Sequence, residues 1–457
     1  MTSFFHAYDL RGKYPDEIGV EEAERVGKSY GTYVSRELDG ERILVGRDGR
    51  NHGPEVTDAF VEGVVSTGVD VDNAGLAATP VVYYGTKYRD YVSSTVVTAS
   101  HNPGEYTGFK FTLEGALSMS RDGGMREIEE IYVEEDFSEA EKPGEVDDVD
   151  LDADYVEFVA EKIEPGWEFD VAVNYGNGVT ATVAGDVLRE IGCNVLEVNQ
   201  DLDGDFPNHL PDPGEEDAQS QLLEAIEKSG DDIDPEIGVL FDGDGDRAGF
   251  IVGGEYVDED SVIALFSEDA LDREKGSVVH DLRCSKLVPE TIEAKGGEGR
   301  ESRVGHTFIS EEIHADPETV FAGEVSGHYY FPSYQVPWDD GVFAAALFCR
   351  IASEEDIEEM LDSFPEYPVG PELRIDCPEE AKECVVEEVA EIYRSHPVST
   401  EDGVKIYFNE GWALVRPSNT QPKMSLRCEA DTVGALERIQ NNVEETVRGA
   451  IENCSSQ

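Results

Sequence analysis

Basic residues are scarce in this chain. Thirty-five Lys and Arg stand against 101 Asp and Glu, a formal net charge of −66 over 457 residues. A surface of that sign repels nucleic-acid phosphates and anionic membranes, which excludes both as partners. No run approaches the ~18 consecutive apolar residues of a membrane span. The opening MTSFFHAYDLRG has no basic segment followed by an apolar one, so no signal peptide is read and a cytoplasmic location is expected. The seven cysteines, Cys193, Cys284, Cys349, Cys377, Cys384, Cys428 and Cys454, are scattered and contain no C-x-x-C pair. That argues against a zinc site and a disulfide framework, and predicts inert thiols in a reducing compartment.

The acidity needs its own explanation. Disorder fails, because apolar segments and Gly/Pro turns recur along the whole chain. An acidic tail fails, because the carboxylates are not blocked at one end. A folded protein with this much self-repulsion is destabilised at low salt. At molar salt the Debye length falls to about 3 Å and the repulsion is screened. The expectation is a halophilic cytoplasm.

At ~100–200 residues per domain, the length predicts three or four domains. ERILVGRDGR (41–50), VDVDNAGLAATP and STVVTASHNP read as strands running into loops, and EVTDAFVEGVVSTG (55–68) as a helix. Strands alternating with helices predict a mainly parallel α/β sheet. Acidic SEAEKPGEVDDVDLD (138–152) reads as a linker. A second α/β set runs from FDVAVNYGNGV to IGVLFDGDGDRAGFIV, and a third from SVIALFSEDAL to GVFAAALFCRIA. After DSFPEYPVGPE (362–372) the character changes to α+β. KIYFNEGWALVRPS and PKMSLRCEA read as paired strands, with helices at 378–394 and 432–452.

Several loops carry chemistry. In DGDGDR, Asp242, Asp244 and Asp246 alternate with Gly243 and Gly245. Three carboxylates this close repel one another unless a cation lies between them, and the glycines let the backbone curl to aim all three at one point. Hard oxygen ligands suit Mg2+. A calcium-binding EF-hand loop begins similarly, but its sixth position must be glycine, and here it is Arg247. A solvated acidic turn is the plainer alternative; the apolar strand on each side favours a metal site.

TASHNP places Ser100 and His101 in a turn at a strand end, which is expected to expose the serine. Alone it is an ordinary Ser/Asn/Pro turn. Lys110 adds a cation able to steady a phosphate or move a proton. In GEVSGHYYF (323–331), Glu324, Ser326 and His328 alternate, and an extended backbone would point all three one way. They suit a polyol such as a sugar, or form a Gly-rich strand with a buried histidine. In LVRPSNTQP (414–422), Arg416, Ser418, Asn419 and Thr420 crowd a Pro-bounded turn with the donors of a phosphate clamp. HAYDLRG contributes Arg11, and VGRDGR two arginines that read as structural.

Taken in this order, YDLRG, TASHNP, DGDGDR, GEVSGH and RPSNTQP resemble the α-D-phosphohexomutase superfamily, in its phosphomannomutase/phosphoglucomutase branch. With the acid excess, a haloarchaeal source is expected. The resemblance implies three related α/β domains with mixed sheets plus a smaller C-terminal α+β domain around a central cleft. Expected limits are 1–150 with the phosphoserine loop, 151–253 with the metal loop, 254–366 with the sugar loop and 367–457 with the phosphate loop.

It further implies a phosphotransferase interconverting hexose 1-phosphate and hexose 6-phosphate, of mannose or glucose. The reaction would pass through phosphorylated Ser100 and a hexose 1,6-bisphosphate. Ser100, Asp242, Asp244 and Asp246 would hold Mg2+. His101, Lys110, Arg11 and His328 would assist the chemistry. Tyr8, Arg247, Arg283, His306, Glu324, Ser326, His328, Arg416, Ser418, Asn419 and Thr420 would bind the sugar phosphate. Thr107, Ser310 and Gln421 depart from the usual pattern. Val325, between Glu324 and Ser326, stands where glucosamine mutases usually carry Gln, so it leans toward mannose or glucose. A phosphoglucosamine mutase, a phosphatase and a non-catalytic sugar-phosphate binder remain the alternatives.

Overall fold

The computed structural model describes residues 4–6, 9–38, 40–164, 168–230, 233–418 and 421–455. Tyr8, Asn419 and Thr420 lie outside the described residues. The chain forms two compact units. The first comprises 1–259, 306–317 and 326–361, the second 260–305, 318–325 and 362–457.

In the first unit, β-branched runs build the strand Arg42–Arg47 between parallel neighbours Asp70–Leu76 and Ser93–Val97. Tyr106–Leu113 then returns antiparallel beside Ser93–Val97, and Leu10–Lys13 pairs antiparallel with it. The helices Val20–Glu37 and Gly53–Ser66 pack over this sheet on a core that includes Val26, Tyr30, Phe60, Phe109 and Phe111. They approach through glycine: a Cβ on Gly27 would lie 2.1 Å from the Phe60 carbonyl oxygen, and one on Gly63 2.2 Å from that of Glu24.

A second sheet joins Phe169–Asn174 in parallel to Cys193–Val198 and Ile237–Phe241. Ile237–Phe241 turns back antiparallel into Ala248–Val252. This unit also holds the antiparallel pair Tyr329–Phe331 and Val336–Asp339 and the helices His306–Ala315 and Gly341–Glu354.

In the second unit, Ser277–Asp281 runs parallel to Glu298–Ser302 and Thr319–Gly323. A separate antiparallel sheet follows the order Leu373–Asp376, Lys423–Ala430, Gly411–Pro417, Val404–Phe408, Val398–Ser399. The helices Lys382–Ile392 and Val433–Cys454 cover one face of it, burying Val385, Val389, Val443 and Val447 against Ala413, Val415 and Leu426.

The four-domain α/β architecture holds, and its α/β sheets are mixed. Two expectations change. Within the expected linker, Val146–Asp148 pairs in parallel with Asp70–Leu76 as an exposed edge strand. Its acidic side chains hid it, because an edge strand needs no apolar face. Cys384 and Cys454 form a disulfide between the two helices of the C-terminal sheet. They are 70 residues apart, a spacing that carries no local signature. The other five cysteines are buried free thiols, as expected. Among the described residues no helix is long and apolar enough to cross a membrane.

Candidate active site

The metal loop forms because the hairpin Ile237–Phe241 to Ala248–Val252 must reverse within a few residues, and Gly245 supplies a left-handed φ of +85°. Asp242 Oδ1 accepts the Gly245 N–H at 2.8 Å and fixes the turn. Thr79 Oγ1 donates to Asp244 Oδ2 at 2.7 Å. The three carboxylates are fully buried, and each puts an oxygen within 4.8 Å of the others. Asp244 Oδ1 and Asp246 Oδ1 are buried without a hydrogen-bond partner. An all-oxygen donor set of three clustered buried carboxylates, two of them with an unpartnered oxygen, fits a hard divalent cation such as Mg2+.

Ser100 meets this loop. Its Oγ donates to Asp242 Oδ2 at 2.6 Å, and its backbone takes a left-handed φ of +49°. The contact is tight enough to require Gly243, where a Cβ would lie 2.5 Å from the Ser100 carbonyl oxygen. The expectation of an exposed serine is therefore corrected. Ser100 is 1% exposed, because the metal loop packs directly on its turn.

Electrostatics sort the neighbours. Lys110 is buried and binds Asp244 Oδ2 at 2.7 Å and Asp246. Burial pulls its pKa down, but Asp244 and Asp246 outweigh that and hold it well above the usual lysine value. Burial, with Asp244 and Asp246 adding, pushes Asp242 well above the usual carboxylate range. His101 Nδ1 lies 3.3 Å from Ser100 Oγ. Arg247, then burial, then Arg11 push its imidazole down to about 2, so it stays neutral at ordinary pH. Arg11 donates to Asn102 Oδ1 at 2.5 Å and to Asp9 at 2.6 Å.

The GEVSGH motif is a turn with Gly327 at φ +85°, not an extended strand, so its side chains do not share one face. It also divides between the units, Glu324 in the second and Ser326 and His328 in the first. A backbone bridge joins His328 to Arg247, and Arg247 Nε donates to His328 Nε2 at 3.2 Å. Ser326 Oγ lies 3.0 Å from His328 Nδ1, and His328 Nε2 lies 3.6 Å from Asp246. The His306 and His328 rings stack at 5.8 Å between centroids, with His306 Nδ1 3.5 Å from Asp339.

In the second unit, Arg283 grips Asp281 with a two-pronged fork at 3.1 and 2.7 Å, and its Nη2 lies 3.9 Å from Glu324. Arg283 and Arg416 line one cavity of about 310 Å3 with Glu372 and Arg427. Strand alternation explains the grouping. Ala413 and Val415 face the helices, so Leu414 and Arg416 face away, and the register Leu414↔Arg427 puts Arg427 beside them. Ser418 Oγ accepts the Gln421 N–H at 3.2 Å, and buried Lys382 donates to the carbonyls of Ser418 and Gln421.

Sequence reading misses Arg427, Lys382 and Asp339. The first has a signal, two arginines at same-face positions of one hairpin. The other two are visible only through contacts distant in sequence.

The chain matches the models of phosphoglucomutase/phosphomannomutase alpha/beta/alpha domain I over 2–139, domain II over 153–255, domain III over 258–367 and the C-terminal domain over 372–446. It is 33% identical over 444 residues to a phosphomannomutase/phosphoglucomutase of Pseudomonas aeruginosa, covering 96% of this chain and 94% of that protein. It is 35% identical to a phosphoglucomutase of Neisseria gonorrhoeae, covering 96% and 95%. It is 33% identical to a phosphomannomutase of Methanocaldococcus jannaschii, covering 93% of each. The crystal structure of a phosphoglucomutase/phosphomannomutase family protein from Burkholderia thailandensis superposes with a TM-score of 0.91 at 30% identity, covering 98% of each chain.

Proposed function

Because the chain belongs to the phosphoglucomutase/phosphomannomutase family, we propose that it interconverts the 1- and 6-phosphates of mannose, glucose or both through phosphorylated Ser100. The phosphoryl group leaves Ser100 Oγ for the free hydroxyl of a hexose 1-phosphate, whose proton ends on the freed Ser100 Oγ by way of a neighbouring base. The resulting 1,6-bisphosphate turns over and returns its other phosphoryl group to Ser100. The observation that carries this reading is Ser100 Oγ held at 2.6 Å on the first carboxylate of a buried three-aspartate loop.

Asp242, Asp244 and Asp246, with the phosphate on Ser100, would hold Mg2+, which offsets charge on the transferring group. Lys110, kept cationic by Asp244 and Asp246, serves the same electrostatic end. His101, whose Nδ1 lies 3.3 Å from Ser100 Oγ, is placed to assist with the hydroxyl proton there. Arg11 braces the same turn through Asn102. Arg247, His306, Glu324, Ser326 and His328 contact the sugar. Arg416, Ser418, Asn419 and Thr420 hold the sugar phosphate, and Tyr8 and Arg283 are further substrate-binding residues. These loops belong to four domains bounded near residues 150, 253 and 366. The acid excess supports the reading of a halophilic cytoplasm, and full thermal stability in low-salt buffer would contradict that.

The test is a substrate panel at high salt with hexose 1,6-bisphosphate supplied, run on wild type and Ser100→Ala. Wild type should form hexose 6-phosphates from mannose or glucose 1-phosphate faster than from glucosamine 1-phosphate, without releasing inorganic phosphate. Intact mass should show one phosphate on Ser100, removed by hexose phosphate. Full mutase activity in Ser100→Ala would sink the phosphoserine.

A further inference from the structure

Arg50 of the VGRDGR segment reads as structural in the sequence, and neither it nor its neighbour Asp48 belongs to the chemistry above. Arg50 is nonetheless one of the largest fully buried side chains of the protein, at 1% exposure. A guanidinium has five N–H donors. Here all five are used. Nε donates to Asp48 Oδ2 at 3.0 Å. Nη1 donates to the carbonyls of Pro103 at 2.6 Å and Tyr106 at 3.1 Å. Nη2 donates to the carbonyls of Ser100 at 2.8 Å and Asn102 at 2.7 Å. Four of the five acceptors are thus main-chain oxygens of the serine loop.

The same network reaches the other side of Ser100. Asp48 Oδ2 also accepts the Thr98 hydroxyl at 2.7 Å, and Thr98 Oγ1 accepts the Ser100 N–H at 2.8 Å. The amide and the carbonyl of Ser100 are therefore held from one Asp48–Arg50 pair. Ser100 needs that hold, because a non-glycine residue at φ +49° is strained and persists only where the surroundings over-determine it. The pair is sealed from water. The Phe206 ring covers the guanidinium at 5.1 Å, and Gly204 lies so close that a Cβ there would be 2.6 Å from Arg50 Cα. The segment that carries both, DGDFPNHLPDP (203–213), is thus the cover over the guanidinium.

We propose that Arg50 is a positioning residue for the phosphoryl-transfer step: its planar fork gathers the carbonyls of Ser100, Asn102, Pro103 and Tyr106 and fixes the serine oxygen against Asp242. Lysine cannot substitute, because a single ammonium with three donors cannot span four carbonyls and a carboxylate. The inference rests on Ser100 being the phosphoryl carrier, and it is tested so that the two can fail separately.

The experiment compares full-length wild type, Arg50→Lys, Arg50→Ala and Thr98→Val at high salt. Misplacing a reacting group by about 1 Å costs on the order of 100-fold in rate. Arg50→Lys should lose about that factor in kcat while KM for hexose 1-phosphate stays within about two-fold, since the fork touches no substrate. Millimolar guanidinium, but not methylammonium, should restore part of the activity of Arg50→Ala, an effect a merely structural role would not show. Thr98→Val leaves the Arg50 fork in place, frees the Ser100 amide and removes one hydrogen bond to Asp48. It should lose about ten-fold in kcat at unchanged KM, and it carries the test if the Arg50 variants do not fold. Hydrogen exchange read by mass spectrometry should rise at least ten-fold in residues 99–106 of Arg50→Lys and not in the strand Ile237–Phe241. Wild-type kcat in Arg50→Lys or Thr98→Val, or unchanged exchange in 99–106, overturns the proposal. Wild type without mutase turnover defeats the mutase reading instead, and exchange still decides the role of Arg50.

Discussion

The Ser100 hydroxyl donates to Asp242 Oδ2 across 142 residues of sequence. One bond thus fastens the proposed phosphate carrier to the proposed metal loop, so metal and serine should report on each other. At 100 times its Kd, Mg2+ should stabilise the native state by about 2.7 kcal/mol, since the unfolded chain does not hold the three carboxylates at one point. Thermal unfolding at fixed high salt should show the rise in wild type and lose it in Asp242→Ala and on chelation. An equal rise in Asp242→Ala would place the ion elsewhere.

Lys110 compensates two carboxylates in a dry interior. Lys110→Met leaves Asp244 and Asp246 buried without their cation, a change that costs about 3–5 kcal/mol for buried pairs. Urea unfolding without metal should show the loss, and saturating Mg2+ should recover part of it. Wild-type stability of the metal-free variant would contradict the arrangement.

Asp340 caps the helix Gly341–Glu354 by accepting the Phe343 N–H at 2.8 Å, and also accepts from Tyr155 and Trp338. Burial pushes its pKa up from 3.8 to about 7, despite those three hydrogen bonds. The folded state therefore binds this proton more tightly than the unfolded chain. The resulting stability is fully present below about pH 4 and is lost as pH rises through about 7. The stability difference between wild type and Asp340→Asn should fall over that window and level off above it. Paired urea titrations from pH 4 to 8 measure it, and a difference that rises with pH would refute it.

The cysteine count is directly checkable. Unfolded without reductant, the protein should expose five alkylatable thiols, and after reduction seven. Closing a loop of 70 residues is worth about 4 kcal/mol by chain entropy, so Cys454→Ser should lower the stability of the C-terminal sheet and helices by that order. Seven thiols without reductant would show the bond absent.

How much of this is legible in the sequence differs from residue to residue. The DGDGD loop is readable because its chemistry is local: the glycines, the carboxylates and both flanking strands lie within 237–252. The hairpin carrying Arg416 is readable from alternation, and the same alternation extends to Arg427 only once the register is known. The burial of Ser100 is not readable, because what covers it comes from residue 243. The bent GEVSGH turn reads wrongly as extended, because its geometry is set by the bridge from His328 to Arg247, some eighty positions away. Arg50 looks structural because nothing near it in sequence shows that its acceptors lie at 100–106. The departures fit quietly: Thr107 is buried in a strand, and Ser310 Oγ accepts the Ser118 N–H at 3.1 Å.

The pairing of Lys110 with Asp244 and Asp246 also sets an order of events during synthesis. The lysine leaves the ribosome 134 residues before its first carboxylate and 136 before its second. At about 5–20 residues per second, that is a wait of roughly 7–27 s. Throughout it, closing the N-terminal core would trap an ammonium with no counter-charge. The nascent N-terminal domain should therefore remain open at this corner until the aspartate loop arrives. This corner then sets only after residue 246 has been made, and a ribosome stalled between residues 110 and 242 should carry a chain whose Lys110 can still be acetylated.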